Sequence, residues 1–172
     1  MFGDHEAGFA VMQDPLEESP LSICEPRTMS KILSPHPNRP LPALDKETEF
    51  YWTSGADGKL RIAQCDACSH YIHPPVPFCT ACGGTAVSPA PVSGRGRVAS
   101  YTVNMQQWIP GLDVPYVIAA VELAEQPELY VFANIVGCPA DVVDIGMRVE
   151  VAFERHGELY LPMFEPVEES HG

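Results

Sequence analysis

Two C-x-x-C pairs limit what this chain can fold into. Cys65-Asp66-Ala67-Cys68 and Cys79-Thr80-Ala81-Cys82 are separated by ten residues, and Gly83-Gly84 follow the second pair. A C-x-x-C turn is tight enough to aim both sulfurs at one ion, and the intervening loop lets the second pair fold back on the first. That completes a tetrahedral shell of four thiolates, the ligand set of a two-knuckle zinc ribbon. The spacing therefore predicts one zinc held by Cys65, Cys68, Cys79 and Cys82. Four thiolates leave no open coordination position, so the site is structural in type rather than catalytic. A rubredoxin-type iron uses the same ligands, and spacing does not separate the two metals. Two disulfides fit less well in a chain without a recognisable secretory signal, and a redox C-x-x-C has no use for a second copy. His70 and His73 fall inside the loop and are expected beside the shell rather than in it.

Charge narrows the use of such a ribbon. The formal net charge is -13, from 10 basic and 23 acidic residues, and after Arg97 only Arg148 and Arg155 are basic. Zinc ribbons often read nucleic acid, but phosphate contacts need lysine and arginine, so a nucleic-acid role is disfavoured. No stretch approaches the roughly 20 apolar residues of a membrane span. The first residues are acidic, with neither a basic n-region nor an apolar h-region, so no signal peptide is expected and the predicted location is cytoplasmic, where thiols stay reduced. Cys24 and Cys138 lie outside the motif, and Cys138 in Val136-Gly137-Cys138-Pro139 reads as a turn or core thiol.

Along the chain, residues 1–28 are acidic and aperiodic and are expected to be poorly ordered, and Met29 looks more like a natural start. Residues 34–42 carry four prolines. They must be extended, as an arm laid over the protein's own surface or a partner's. Asp45 can cap a short helix running through Phe50-Tyr51-Trp52 to about Ser54. Three consecutive aromatics cannot share one helical face, so either two pack and one is left for a neighbouring chain, or all three find places on the protein itself. Residues 59–64 alternate as a strand leading into the first knuckle. Five further strands are predicted at 98–103, 116–123, 129–136, 147–153 and 158–164. Their length and spacing, with no helical period among them, suggest a five-stranded OB-fold barrel. The third of them is apolar on both faces in part, which suits a strand buried on both sides or facing a partner. The expected organisation is an arm over 1–43, helix plus ribbon over 44–92, the barrel over 93–166, and a tail over 167–172. Between the first two barrel strands, residues 104–115 hold Met105, Trp108, Ile109 and Leu112. Apolar side chains in a connection point to a ligand or partner surface, or to Trp108 folding back as a lid.

Together these pieces resemble a known family. Phe50-Tyr51-Trp52, the four cysteines, the run from Ser93 to Val103 and the closing Ile145 to Phe153 are similar to the acyl-CoA-associated family, in which a rubredoxin-like zinc ribbon is joined to an OB-fold. The resemblance covers about residues 40–166. One departure is visible: where such proteins often carry a basic residue before the second knuckle, this chain has Pro74-Pro75-Val76-Pro77-Phe78. The resemblance implies a mainly β fold and a non-catalytic accessory subunit of a thiolase-like enzyme (an aldolase, thiolase or C-acyltransferase), in a hetero-oligomer that handles acyl-CoA. Members accompany steroid side-chain aldolases among others.

The residues agree with an accessory role. No Ser/His/Asp or Cys/His arrangement has recognisable spacing, so no catalytic residue is expected. If CoA binds, its adenine and phosphates need aromatic and basic contacts, and Lys59, Arg61, Arg95, Arg97, Tyr101 and Trp108 are the candidates. Phe50, Tyr51, Trp52, Met105, Trp108, Ile109 and Leu112 are the candidate partner contacts. A stand-alone acyl-CoA binding module is the second reading, and an OB-fold nucleic-acid binder the third.

Overall fold

The computed structural model describes residues 32–167; the expectations for residues 1–28 lie outside that range. Five strands form the barrel: β5 (Arg95–Asn104), β6 (Tyr116–Leu123), β7 (Tyr130–Ile135), β8 (Arg148–His156) and β9 (Leu159–Pro166). They run in the order β8-β5-β6-β7-β9, and a β8–β9 ladder closes the circuit. The five-stranded barrel expected from the sequence is the fold observed. Strand β5 does two jobs: Arg95, Gly96 and Arg97 pair with β8, while the run from Gly96 to Asn104 pairs with β6. A register shift between Val98 and Ser100 bends it from one partner to the other, as a β-bulge does. Gly94, just before it, has φ +74°, and a Cβ there would collide with the Val151 side chain.

Alternation decides what faces inward. In β6, Val117, Ala119, Val121 and Leu123 are buried, and in β7, Val131, Ala133 and Ile135 are. They pack around Phe153 and Phe164, which are fully buried. Among the described residues nothing covers much of the opposite faces of these strands, and Phe132 is 73% exposed.

The ribbon is a second sheet of order β3-β2-β4, built from β2 (Arg61–Cys65), β3 (Tyr71–Ile72) and β4 (Val87–Pro91). Sequence reading missed β4 because Val87-Ser88-Pro89-Ala90-Pro91 looks like a strand breaker. It is an edge strand, where proline is tolerated if its N–H position faces away from the sheet. Val92 donates its N–H to Leu60 at 2.9 Å, so the N–H positions aimed at β2 alternate as 92, 90 and 88. Pro89 and Pro91 fall on the opposite phase, where no donor is needed.

Helix α1 (Glu49–Thr53) and the 3-10 turn over Ser54–Asp57 join the two sheets. Asp45 Oδ1 accepts the Thr48 N–H at 2.7 Å and the Thr48 hydroxyl at 2.6 Å, so it caps the turn that enters the helix. Tyr51 enters the barrel core with Leu60 and Ile62, making one core continuous from β2 into the barrel. Phe50 packs against both this core and the ribbon's own cluster of Ala63, Cys65, Ile72 and Cys79. A Cβ on Gly55 would lie 2.5 Å from both Phe153 and Tyr160, so only glycine lets the turn press onto β8 and β9.

The proline-rich arm lies on its own barrel. Its strand β1 (Ile32–Leu33) pairs in parallel with β8, Ile32 beside Phe153. Among the described residues, no helix is long and apolar enough to cross a membrane.

Candidate metal centre and partner surface

The two knuckles are built alike. Cys65 donates its N–H to His70 O at 2.9 Å, and Ser69 donates back to Cys65 O at 2.8 Å. Fourteen residues on, Cys79 donates to Gly84 O at 2.7 Å, and Gly83 donates to Cys79 O at 2.9 Å. Each turn places the residue after its second cysteine in the left-handed region, Ser69 at φ 62° and Gly83 at φ 75°. The repeated geometry brings two pairs of sulfurs face to face: Cys65 Sγ lies 3.6 Å from Cys82 Sγ, and Cys68 Sγ lies 3.6 Å from Cys79 Sγ. All four sulfurs fall within 4.8 Å of one another. A tetrahedral shell with metal–sulfur bonds of about 2.3 Å needs sulfur edges of about 3.8 Å, so the cluster fits one ion.

The electrostatics favour a cation at the centre. The Cys82 N–H beside Cys79 lowers that thiol to about 7, with the Ala81 N–H adding to the effect. Cys68 receives the His70 N–H, which lowers its pKa, yet it is pushed up to about 12 by its crowding against Cys82, Cys79 and Cys65. Sulfurs this close cannot all ionise unless a positive ion sits among them. His70 Nε2 lies 3.5 Å from Thr80 Oγ1, and the His73 ring packs 4.9 Å from Tyr51, so neither joins the sulfur cluster. Burial pushes His73 down to about 4.

The structure disperses the candidate CoA contacts. Arg61 donates to Asp57 Oδ1 at 3.0 Å and Oδ2 at 2.7 Å and to Ser54 O at 3.2 Å, so its guanidinium is engaged in closing the turn. The same hydrogen bonds hold the Asp57 carboxyl at about 2. Lys59 is exposed nearby. Tyr101 packs half-buried against the barrel core. Trp108 is 72% exposed, and its Nε1–H donates to Asn104 Oδ1 at 3.0 Å within its own loop. Arg95 and Arg97 do come together, in a groove of about 410 Å³ that Arg148 completes. Arg148 was not grouped with them from sequence because it is brought there by register: β5 and β8 pair Arg97 with Arg148.

The aromatic helix buries one ring fully and two in part. Tyr51 is only 5% exposed, and Phe50 and Trp52 are half-buried against the core, which corrects the placement of Tyr51 at a partner interface. The reason is that α1 is flanked on two sides, by barrel and by ribbon, so all three rings find places within the chain. Leu112 is likewise buried under its loop at 8% exposure, whereas Met105 is exposed and Ile109 half-buried.

A surface that the candidates had not included lies on the outside of β5, β6 and β7. Register aligns Thr102, Ile118 and Asn134 in one row, and Ser100, Ala120 and Phe132 in the next. These two rows hold no charge. Ile118, Tyr130 and Phe132 are exposed, and a groove of about 520 Å³ runs between them and Tyr101. The signal available in the sequence was that Tyr130-Val131-Phe132-Ala133 is apolar on both phases of the strand.

A closed four-thiolate ribbon packed on an OB barrel defines the class of protein: a zinc-ribbon/OB-fold protein. Two family models match it, the ChsH2 rubredoxin-like zinc ribbon domain over residues 52–88 and the ChsH2 C-terminal OB-fold domain over residues 90–154. A solved chain described as "Ltp2-ChsH2(DUF35) aldolase" superposes with a TM-score of 0.67 at 35% identity, covering 73% of this chain and 98% of that one. A "DUF35 domain-containing scaffold protein" of Methanothermobacter thermautotrophicus is 33% identical over 98 residues, 56% of this chain and 72% of that protein. The chain belongs to the ChsH2/DUF35 family. A "Probable enoyl-CoA hydratase alpha subunit" of Thermomonospora curvata is 37% identical over 129 residues, 74% of this chain. This chain spans 40% of that subunit's length.

Proposed function

We infer that this chain is a non-catalytic scaffold subunit of a thiolase-like acyl-CoA enzyme, with a single structural zinc holding its ribbon. The observation that carries the reading is the pair of uncharged rows on the outside of β5–β7, centred on Phe132 at 73% exposure. Apolar rings at that exposure on a rigid sheet are costly in water and mark a surface that a partner covers. The loop carrying Met105 and Trp108, both 72% exposed, leaves the end of β5 and extends the surface. A thiolase-fold subunit is the partner that the aldolase relative supports, and an acyl-CoA ligand is supported by the hydratase relative's name. In this reading the partner supplies nucleophile and proton transfers. The present chain supplies a rigid wall, and the ribbon's metal takes no part in the reaction because its four positions are filled by sulfur.

The test is co-purification of the tagged chain from its native lysate, with the bound proteins identified by mass spectrometry. A stoichiometric thiolase-fold subunit, lost on Phe132→Asp while the metal content stays normal, supports the reading. A chain that emerges alone and still binds CoA esters replaces it with a stand-alone acyl-CoA module, for which the Arg95/Arg97/Arg148 groove is the favouring observation.

A further inference from the structure

The loop over residues 104–115 is exposed at its tip, yet it is braced from within. Asn104 Nδ2 donates to Gln106 O at 2.6 Å, and Asn104 Oδ1 accepts the Trp108 Nε1–H at 3.0 Å. Gln107 Nε2 reaches across to Leu112 O at 3.2 Å, and Leu112 is buried at 8% exposure. The indole thus has its one polar atom satisfied inside the loop while 72% of the residue stays exposed. A ring of this kind gains nothing from water and fits a pocket on another chain.

The proline-rich arm holds this loop at a second point. Pro37 and Pro40 fix φ on either side of Asn38-Arg39, and Arg39 is clamped to Glu154, so Asn38 stands on a stiff base. Asn38 Nδ2 donates to Gly111 O at 3.0 Å, and a Cβ on Gly111 would collide with that amide. His36 Nε2 stands 3.9 Å from Asp113 Oδ2, two residues further along the loop. A cleft of about 280 Å³ opens between arm and loop, lined in part by His36, Arg39, Leu112 and Asp113. Packing therefore leaves the two apart there, and the polar contacts of Asn38 and His36 set how the loop stands.

We propose that the 104–115 loop is a docking knob for the thiolase-fold subunit, with Trp108 as its anchor and Asn38 as the positioning residue. The loop is continuous with the uncharged rows. Asn104 pairs with Tyr116 two residues beyond Thr102 and Ile118, so the loop grows out of the next row on the same face. Association costs the freedom of every side chain that it immobilises, and in this loop that freedom is already lost on folding. The arm therefore acts on partner binding through the indole, without touching the partner itself. The inference rests on the scaffold reading and adds which side chain anchors the partner and what holds it in place.

The chain has two tryptophans, so Trp52→Phe leaves Trp108 as the sole fluorescent reporter of its kind. In that background Asn38→Ala should lower the fluorescence anisotropy of Trp108, while zinc content and melting temperature stay unchanged. Affinity is read by biolayer interferometry against the thiolase-fold subunit recovered by co-purification. Trp108→Ala is expected to raise Kd by at least about 30-fold, and Asn38→Ala by about five-fold. In a Trp108→Ala chain, Asn38→Ala should add no further loss, because its effect passes through the indole. A five-fold loss that persists without Trp108, or an unchanged anisotropy, overturns the positioning role of Asn38. An unchanged Kd in Trp108→Ala overturns the docking knob and leaves the scaffold reading standing on Phe132. A wild-type chain that captures no thiolase-fold subunit overturns the knob and the scaffold reading together.

Discussion

Arg39 donates through Nε to Glu154 Oε1 at 2.7 Å, tying the proline-rich arm to a carboxylate of strand β8 that is only 4% exposed. The same oxygen accepts the His36 N–H at 3.1 Å and lies 2.6 Å from His156 Nε2, while Arg39 also donates to Asn134 Oδ1 at 3.0 Å. Asn38 Nδ2 then donates to Gly111 O at 3.0 Å, which connects the arm to the loop that carries Trp108. One buried ionic group thus fixes three pieces of chain that are far apart in sequence.

Removing one member of this group leaves the other buried without its counter-charge. Arg39→Ala is expected to destabilise the fold by about 3 kcal/mol, the range for breaking a buried pair, measured by urea denaturation. Burial raises the Glu154 pKa, but the hydrogen bonds from Arg39, His156 and His36 outweigh it and hold the carboxyl below its usual range. Its stabilisation is therefore full above the ordinary carboxylate pKa and is lost as pH falls through the lowered folded value. Glu154→Gln should flatten that acid limb, and an identical pH profile in variant and wild type would contradict the assignment.

The metal's binding energy is part of the folding energy of the ribbon, because the sulfurs converge only when both knuckles form. Cys65→Ser is expected to lose metal and to unfold β2, β3 and β4 together, read as loss of amide-exchange protection over residues 61–91. Elemental analysis of the wild-type protein should return one zinc per chain. A coloured protein with one iron would keep the fold and replace the metal.

The paired knuckles make a prediction about backbone strain. Ser69 and Gly83 occupy equivalent left-handed positions at φ 62° and 75°, but only one is glycine. A side chain in that region costs roughly 1 kcal/mol. Gly83→Ala should lower the stability of the metal-loaded protein by about that much, while Ser69→Gly should leave it unchanged or raise it slightly. Thermal melts at fixed metal concentration decide, and a large loss in Ser69→Gly would refute the equivalence.

Burial against Tyr51 pushes His73 down to about 4 from an ordinary 6.5. Between those values the unfolded chain takes up a proton that the folded chain refuses. Stability is therefore full above about 6.5 and falls as pH drops towards 4, by about 2–3 kcal/mol over the window. His73→Phe keeps the packing and removes the titration. The difference between the two stability–pH curves should be constant above pH 7 and change on acidification, and parallel curves would show that burial does not alter the His73 titration.

What the sequence determined by itself is whatever rests on short spacings. Two C-x-x-C pairs ten residues apart dictate the sulfur cluster, because knuckle geometry is local and needs only a loop long enough to return. Alternating apolar runs dictate five barrel strands, because a strand with one wet face has to read with period two. Strand β4 escaped notice since its prolines are legible only once the strand is known to be an edge. The tertiary structure decided everything set by register and by what packs on what. It placed Arg148 opposite Arg97 from 51 residues away, brought Arg39 to Glu154 across 115, and gave all three rings of Phe50-Tyr51-Trp52 a place inside the chain. It also left Phe132 uncovered by the described residues, although Phe132 and the buried Val131 are apolar neighbours in one strand. Sequence spacing specifies which side chains share a face, but only the closed barrel specifies which face has a second layer of protein over it.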